Sequence, residues 1–209
     1  MLASITLCLF LSKMMIITVV SDPTYRAYKT LSMGEANVHY CNRIPGRTAG
    51  KLFRRGLDVG PQVPDSNSNS TSVLPDPSQP IDLTPGKCTS PTCYPGTFQP
   101  PALEDCQKVI EAQLYHSTGS LSAAPGTWVF VSYGTCATVF QNPEESSYNI
   151  QYNWAELGAQ AGRIAGKCSL QEDKSIGGVC MFKKYLDYKF NDVMISLQRF
   201  DDRDIEMSK

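Results

Sequence analysis

Eight cysteines carry most of the chemistry written into this 209-residue chain: Cys8, Cys41, Cys88, Cys93, Cys106, Cys136, Cys168 and Cys180. A cysteine can serve as metal ligand, nucleophile or half-cystine, and spacing separates these roles. The chain has no pair of C-x-x-C motifs, and His39 and His116 stand alone, so neither a metal nor another cofactor is expected. A disulfide framework is the better reading, and it requires an oxidising compartment and therefore export.

Catalytic constellations are sparse. His116 lies in Tyr115-His116-Ser117 at the end of an expected helix, where a cationic side chain complements the last carbonyls. No Gly-x-Ser-x-Gly elbow accompanies it. Glycoside hydrolysis needs only two carboxylates, and Glu144, Glu145 and Glu156 are candidates, although each reads first as solvated surface or helix cap. The chain is therefore not expected to be an enzyme. Trp128, Trp154, Tyr185 and Tyr188 are candidates for stacking on sugar rings; the competing reading makes both tryptophans core anchors.

The amino terminus offers an export signal. Leu2 to Leu11 is apolar, Lys13 interrupts, and Met14 to Val20 resumes, with cleavage expected after Ser21. A short signal anchor or a translation start at Met14 or Met15 are the rivals. Residues 22–55 read as a poorly structured basic pro-segment ending in Arg54-Arg55, a dibasic processing site. Cutting there would remove Cys8 and Cys41 and leave six cysteines, an even set. Residues 56–96 form a Pro/Ser/Asn-rich linker that holds the glycosylation sequon at Asn69.

Charge follows the same division. Residues 1–55 hold eight Lys and Arg against two acids, whereas residues 56–209 hold 11 against 18. An acidic body argues against nucleic acid or anionic lipid as a partner, because both need a basic face. After residue 21 the apolar runs are strand-sized, so no transmembrane segment is expected in the mature protein.

The elements that must position these residues are legible from about residue 97 to 200. Pro100-Pro101 and the acids Glu104 and Asp105 open a helix through Tyr115, with Leu103, Cys106, Val109 and Ile110 on its buried stripe. Thr127–Tyr133 and Cys136–Phe140 are β-rich runs joined by Gly134-Thr135, which predicts a hairpin. Residues 148–152 allow a short strand. Asn153 caps a helix from Trp154 to about Gly166, whose small residues suit close packing on a sheet. Val179–Phe182 and 193–198 supply further strands, and 201–209 reads as a frayed, charged tail. The expectation is an α+β fold, with two helices on a mostly antiparallel sheet of four to five strands, disulfide-stapled.

Asp105-Cys106 at a helix start, the Trp128 strand, Gly134-Thr135-Cys136, a second helix and a closing Cys180 resemble the fungal necrosis-inducing effector family and the related killer-toxin-like proteins. The likeness spans roughly residues 88–198. It implies a secreted, cysteine-stapled α/β sandwich acting on other organisms or at the fungal wall, and it carries over no catalytic residue.

Together these readings describe a secreted, non-enzymatic effector-like or toxin-like binding protein of a fungus. Its target would be a protein, a membrane or a cell-wall polysaccharide. The alternative is a wall-polysaccharide binder or a small carboxylate-based glycoside hydrolase. Cys88, Cys93, Cys106, Cys136, Cys168 and Cys180 are expected to form three disulfides, with at least one joining the 106–136 part to the 168–180 part.

Overall fold

The computed structural model describes residues 23–46, 79–94, 99–169 and 177–208. The expected signal sequence, Arg54-Arg55 and Asn69 lie outside the described residues. Among the described residues, eleven strands and two α-helices follow one another. They are β1 (Tyr25–Met33), β2 (Ala36–Arg43), β3 (Ile81–Asp82), β4 (Thr92–Cys93), α1 (Leu103–Tyr115), β5 (Ser120–Ala123), β6 (Thr127–Tyr133) and β7 (Cys136–Gln141). After them come β8 (Ile150–Asn153), α2 (Trp154–Ser169), β9 (Gly178–Tyr185), β10 (Tyr188–Arg199) and β11 (Ile205–Met207).

Eight strands form one sheet in the order β11-β1-β2-β6-β7-β10-β9-β4, and β3-β8-β5 form a second. The α+β class stands, but the main sheet is wider than the four to five strands expected. The additions come from chain read as unstructured. Residues 23–46, expected to be poorly structured, instead form a β-hairpin, with β2 paired antiparallel to β6 and β1 parallel to β11. The expected tail forms β11 on that edge. Within the expected linker, β3 pairs with β8 and β4 with β9. The folded unit thus reaches well beyond residues 97–200.

A sheet must bury both faces or expose one. The face that packs on α1 and α2 carries Val38, Val129, Val131, Phe140, Ile195 and Leu197. The other face carries a second cluster, in which the first and last strands bring Tyr25, Ala27 and Ile205 against Trp128, Phe130 and Phe200. The Tyr25 ring sits 5.0 Å from both Trp128 and Phe130. That cluster gives β1 and β11 their place on the sheet edge, since burying a large aromatic side chain is worth about 1.5–3 kcal/mol.

Helix α1 buries Cys106, Val109, Ala112 and Gln113 but leaves Leu103 51% exposed, so its stripe starts one turn later than expected. Asn153 caps α2 as predicted, its Oδ1 accepting from the N–H groups of Ala155 and Glu156. The small residues of α2 serve the other helix as well as the sheet. At Gly158 an added Cβ would lie 2.8 Å from Gln113 Cβ, so only glycine permits this helix–helix approach.

Three disulfides close the fold: Cys88–Cys180, Cys93–Cys168 and Cys106–Cys136. All six expected half-cystines are paired. The expected bridge between the 106–136 and 168–180 parts is corrected. The pairs are concentric instead, each enclosing the next, because β4 lies on the sheet edge beside β9 and the end of α2.

Candidate functional site

The reactive side chains are placed one by one rather than gathered. Cys41 is the free cysteine among the described residues, and it is buried. It shares the outward face of β2 with His39, two residues before it, opposite Trp128 and Phe130. Burial pushes the Cys41 thiol up to about 12. Burial also lowers His39 from its ordinary value. A thiol held protonated is a poor nucleophile, so proximity to an imidazole creates no thiolate here. His39 is engaged through Nδ1, 3.2 Å from Thr30 Oγ1.

His116 caps the end of α1, where its backbone N–H donates to the Ala112 carbonyl. Its ring packs on the β1–β2 turn, 3.1 Å from where a Cβ on Gly34 would lie. Beside it, Lys108 Nζ and Glu35 Oε1 form an exposed ion pair at 2.7 Å. Glu35 is held below, and Lys108 above, its ordinary value by that bond. These contacts dock the hairpin turn on α1. Glu156 accepts from Gln160 Nε2 at 2.7 Å on its own helix, and Glu144 lies against Gly126. Of the acids considered for glycoside hydrolysis, Glu144 and Glu145 are neighbours in the turn after β7, whereas Glu156 lies on α2.

The four candidate stacking residues split. Trp128 is 8% exposed in the outer cluster, whereas Trp154 is 5% exposed in the core under the helices. Both are core anchors, and they offer no shared ring face. Tyr185 and Tyr188 are brought together as a cross-strand pair at the end of the β9–β10 hairpin. Sequence reasoning missed their partners. Tyr148 meets Tyr188 edge-on with centroids 5.4 Å apart, and Phe190 lies 6.4 Å from Tyr188. Leu186, between the two tyrosines at the hairpin tip, is 68% exposed with φ +52°. The run Phe182-Lys-Lys-Tyr-Leu-Asp-Tyr-Lys-Phe190, two aromatic–lysine halves around Leu-Asp, was the available signal.

At the opposite pole of chemistry, Asp105 and Thr135 form a structural junction beside the Cys106–Cys136 bridge. Thr135 donates its backbone N–H and its hydroxyl to Asp105 Oδ2, at 2.7 and 2.6 Å. The same hydroxyl accepts from the Ala102 N–H at 2.8 Å. An orphan donor at the helix start is thereby satisfied from a hairpin turn about thirty residues away. Asp105, Thr135 and the Cys106–Cys136 bridge together staple α1 to the β6–β7 turn.

Among the described residues no helix is long and apolar enough to cross a membrane, and no cluster of three or more His, Cys, Asp or Glu could hold a metal ion. Comparison with known proteins finds no family model, no curated protein and no solved structure that matches this chain.

Proposed function

We propose that the chain is a secreted, disulfide-stapled, non-enzymatic binding protein, effector-like or toxin-like, from a fungus. The observation that carries this reading is the concentric set of three disulfides. Such a set is stable only where thiols are oxidised, and three closures in one small body fit an extracellular setting. The reading is also supported by how the conspicuous side chains are used. His39, His116, Asp105 and Glu156 are each engaged in packing or local hydrogen bonds. Among the groups the fold leaves outward is a hairpin tip where exposed Leu186 stands with Lys183, Lys184 and Lys189.

The test pairs retention with turnover. Protein purified from culture fluid is passed over insoluble chitin and glucan, and soluble sugar is measured after incubation. The expected outcome is passage through both columns and no released sugar. Firm retention would favour a wall-polysaccharide binder, and sugar release would overturn the non-enzymatic assignment.

A further inference from the structure

We propose that the tip of the β9–β10 hairpin, residues 183–189, docks on an anionic membrane surface. Leu186 would enter the boundary between headgroups and acyl chains, while Lys183, Lys184 and Lys189 meet lipid phosphates. This deepens the reading of the chain as a secreted binding protein by naming a partner, and it rests on that reading.

The geometry of the tip carries the inference. Strand β7 pairs with β10 only from Met194 to Arg199, so Tyr188 to Val193 run past the end of their neighbour. The tip is a two-stranded extension of the sheet. Its base is held by edge-on and stacked rings: Tyr148 on Tyr188 and Phe190, and Tyr188 over Phe190. Tyr185 packs against Gly86, where a Cβ would lie 3.1 Å from its ring. A braced base presents its tip in a fixed orientation.

Two features of that tip are unfavourable for an isolated chain. Leu186 has φ +52°, a region that costs a leucine strain, yet its side chain is two-thirds exposed. Lys184 stands directly opposite Lys189 across the ladder, a like-charge pair that repels. An anionic surface with an apolar interior answers both. It takes the leucine out of water and neutralises the lysines, and the flanking tyrosines suit the interface between the two.

The body as a whole is acidic and is not expected to favour anionic lipid; the tip is the local exception. Beyond residue 55 the chain holds 11 Lys and Arg against 18 acids, yet three of those 11 lie within residues 183–189, against Asp187 alone. A sugar polymer would not use an exposed leucine. The tyrosine rings are also engaged with their neighbours, not held open as stacking platforms.

Flotation of the full secreted chain with vesicles tests the proposal. One set is phosphatidylcholine alone and the other contains phosphatidylserine as well. Binding to the mixed vesicles is expected, weakened by added salt, with little binding to phosphatidylcholine alone. Leu186→Gly, which accepts positive φ, is expected to raise Tm by about 2–4 °C while weakening binding about 10-fold or more. Lys184→Gln with Lys189→Gln is expected to weaken binding about 30-fold, from the worth of two lysines at an anionic surface. Absence of binding to mixed vesicles, equal binding to both kinds, or full binding by both variants would overturn the proposal. If vesicles fail while the protein still binds cells through a protease-sensitive receptor, the hairpin proposal falls and the binding-protein reading survives.

Discussion

Asp105 and Thr135 lie thirty residues apart, yet one carboxylate oxygen of Asp105 accepts both the backbone N–H and the hydroxyl of Thr135. This junction sits next to the Cys106–Cys136 bridge, so α1 is fastened to the β6–β7 turn covalently and by hydrogen bonds. Gly134 completes it. Its φ is +52°, and a Cβ there would lie 2.6 Å from the Asp105 carboxyl group.

Asp105→Ala should cost about 1–2 kcal/mol in chemical denaturation, the worth of hydrogen bonds to a half-exposed charged group. Gly134→Ala should cost at least as much, about 1–3 kcal/mol, because it adds backbone strain to a steric clash. The Thr135 bonds hold the Asp105 carboxyl below its ordinary 3.8. A depressed pKa contributes stability above the unfolded-state value and loses it as pH falls through the folded value. Stability curves of wild type and Asp105→Asn should therefore converge on acidification below about pH 4. Parallel curves throughout that range would contradict the account.

The two outer disulfides close segments of 92 and 75 residues, and the inner one closes 30. In the chain-entropy treatment these closures, each alone in an otherwise unbridged chain, stabilise by about 4.6, 4.5 and 3.6 kcal/mol, and nesting makes each worth less when the others are present. Any one is a large share of the 5–15 kcal/mol that holds a typical domain of this size. Paired Cys→Ser replacement at Cys88 and Cys180 or at Cys93 and Cys168 should lower the denaturation midpoint sharply. Non-reducing peptide mapping should recover the three concentric pairs, and any peptide joining Cys106 or Cys136 to Cys168 or Cys180 would refute them.

Cys41 should behave as an inert thiol. It is fully buried at 0% exposure, and burial pushes its thiol up to about 12. In protein cleaved after Ser21, alkylation without reduction should label no cysteine in buffer and one in denaturant. Labelling of Cys41 in the native protein would show that the outer face of β2 opens. If the chain is cut after Ser21, the odd cysteine that remains is a buried core thiol.

Cleavage after Arg55, if the secretory route performs it, should not release the amino-terminal segment. Strand β2 lies between β1 and β6 in the sheet, and β1 holds β11. Cys41 is unpaired, so the attachment would be non-covalent. The segment should co-purify with residues 56–209 in native buffer and separate in urea. A 56–209 fragment that keeps the near-ultraviolet circular dichroism of the whole protein would contradict this placement.

The parts legible in the sequence were those whose signals are local. Helices α1 and α2 carry proline, acids or a capping asparagine at their starts, and β6 and β7 are dense in β-branched and aromatic residues. Strand β1 carries no such signal. Only Tyr25, Ala27 and Met33 of its nine residues are buried, so alternation is lost over Tyr28 to Ser32. It pairs along its length with β2, and its other edge takes β11 from 180 residues away, a pairing that no periodicity encodes. The hairpin tip was half visible. Tyr185 and Tyr188 stand out by type, but the ring of Tyr148 that braces Tyr188 comes from a loop forty residues earlier. Trp128 and Trp154 show the converse: residue type suggested a binding face, and only the fold places them on opposite sides of the sheet.

The claim that the stapled body is itself the binding agent is tested most directly by saturation binding to wall-stripped cells. Labelled protein is compared in its oxidised form and after reduction and alkylation. The account predicts saturable binding by the oxidised protein and its loss once the three disulfides are opened. Equal binding by both forms, or no saturable binding by the oxidised form, would contradict it.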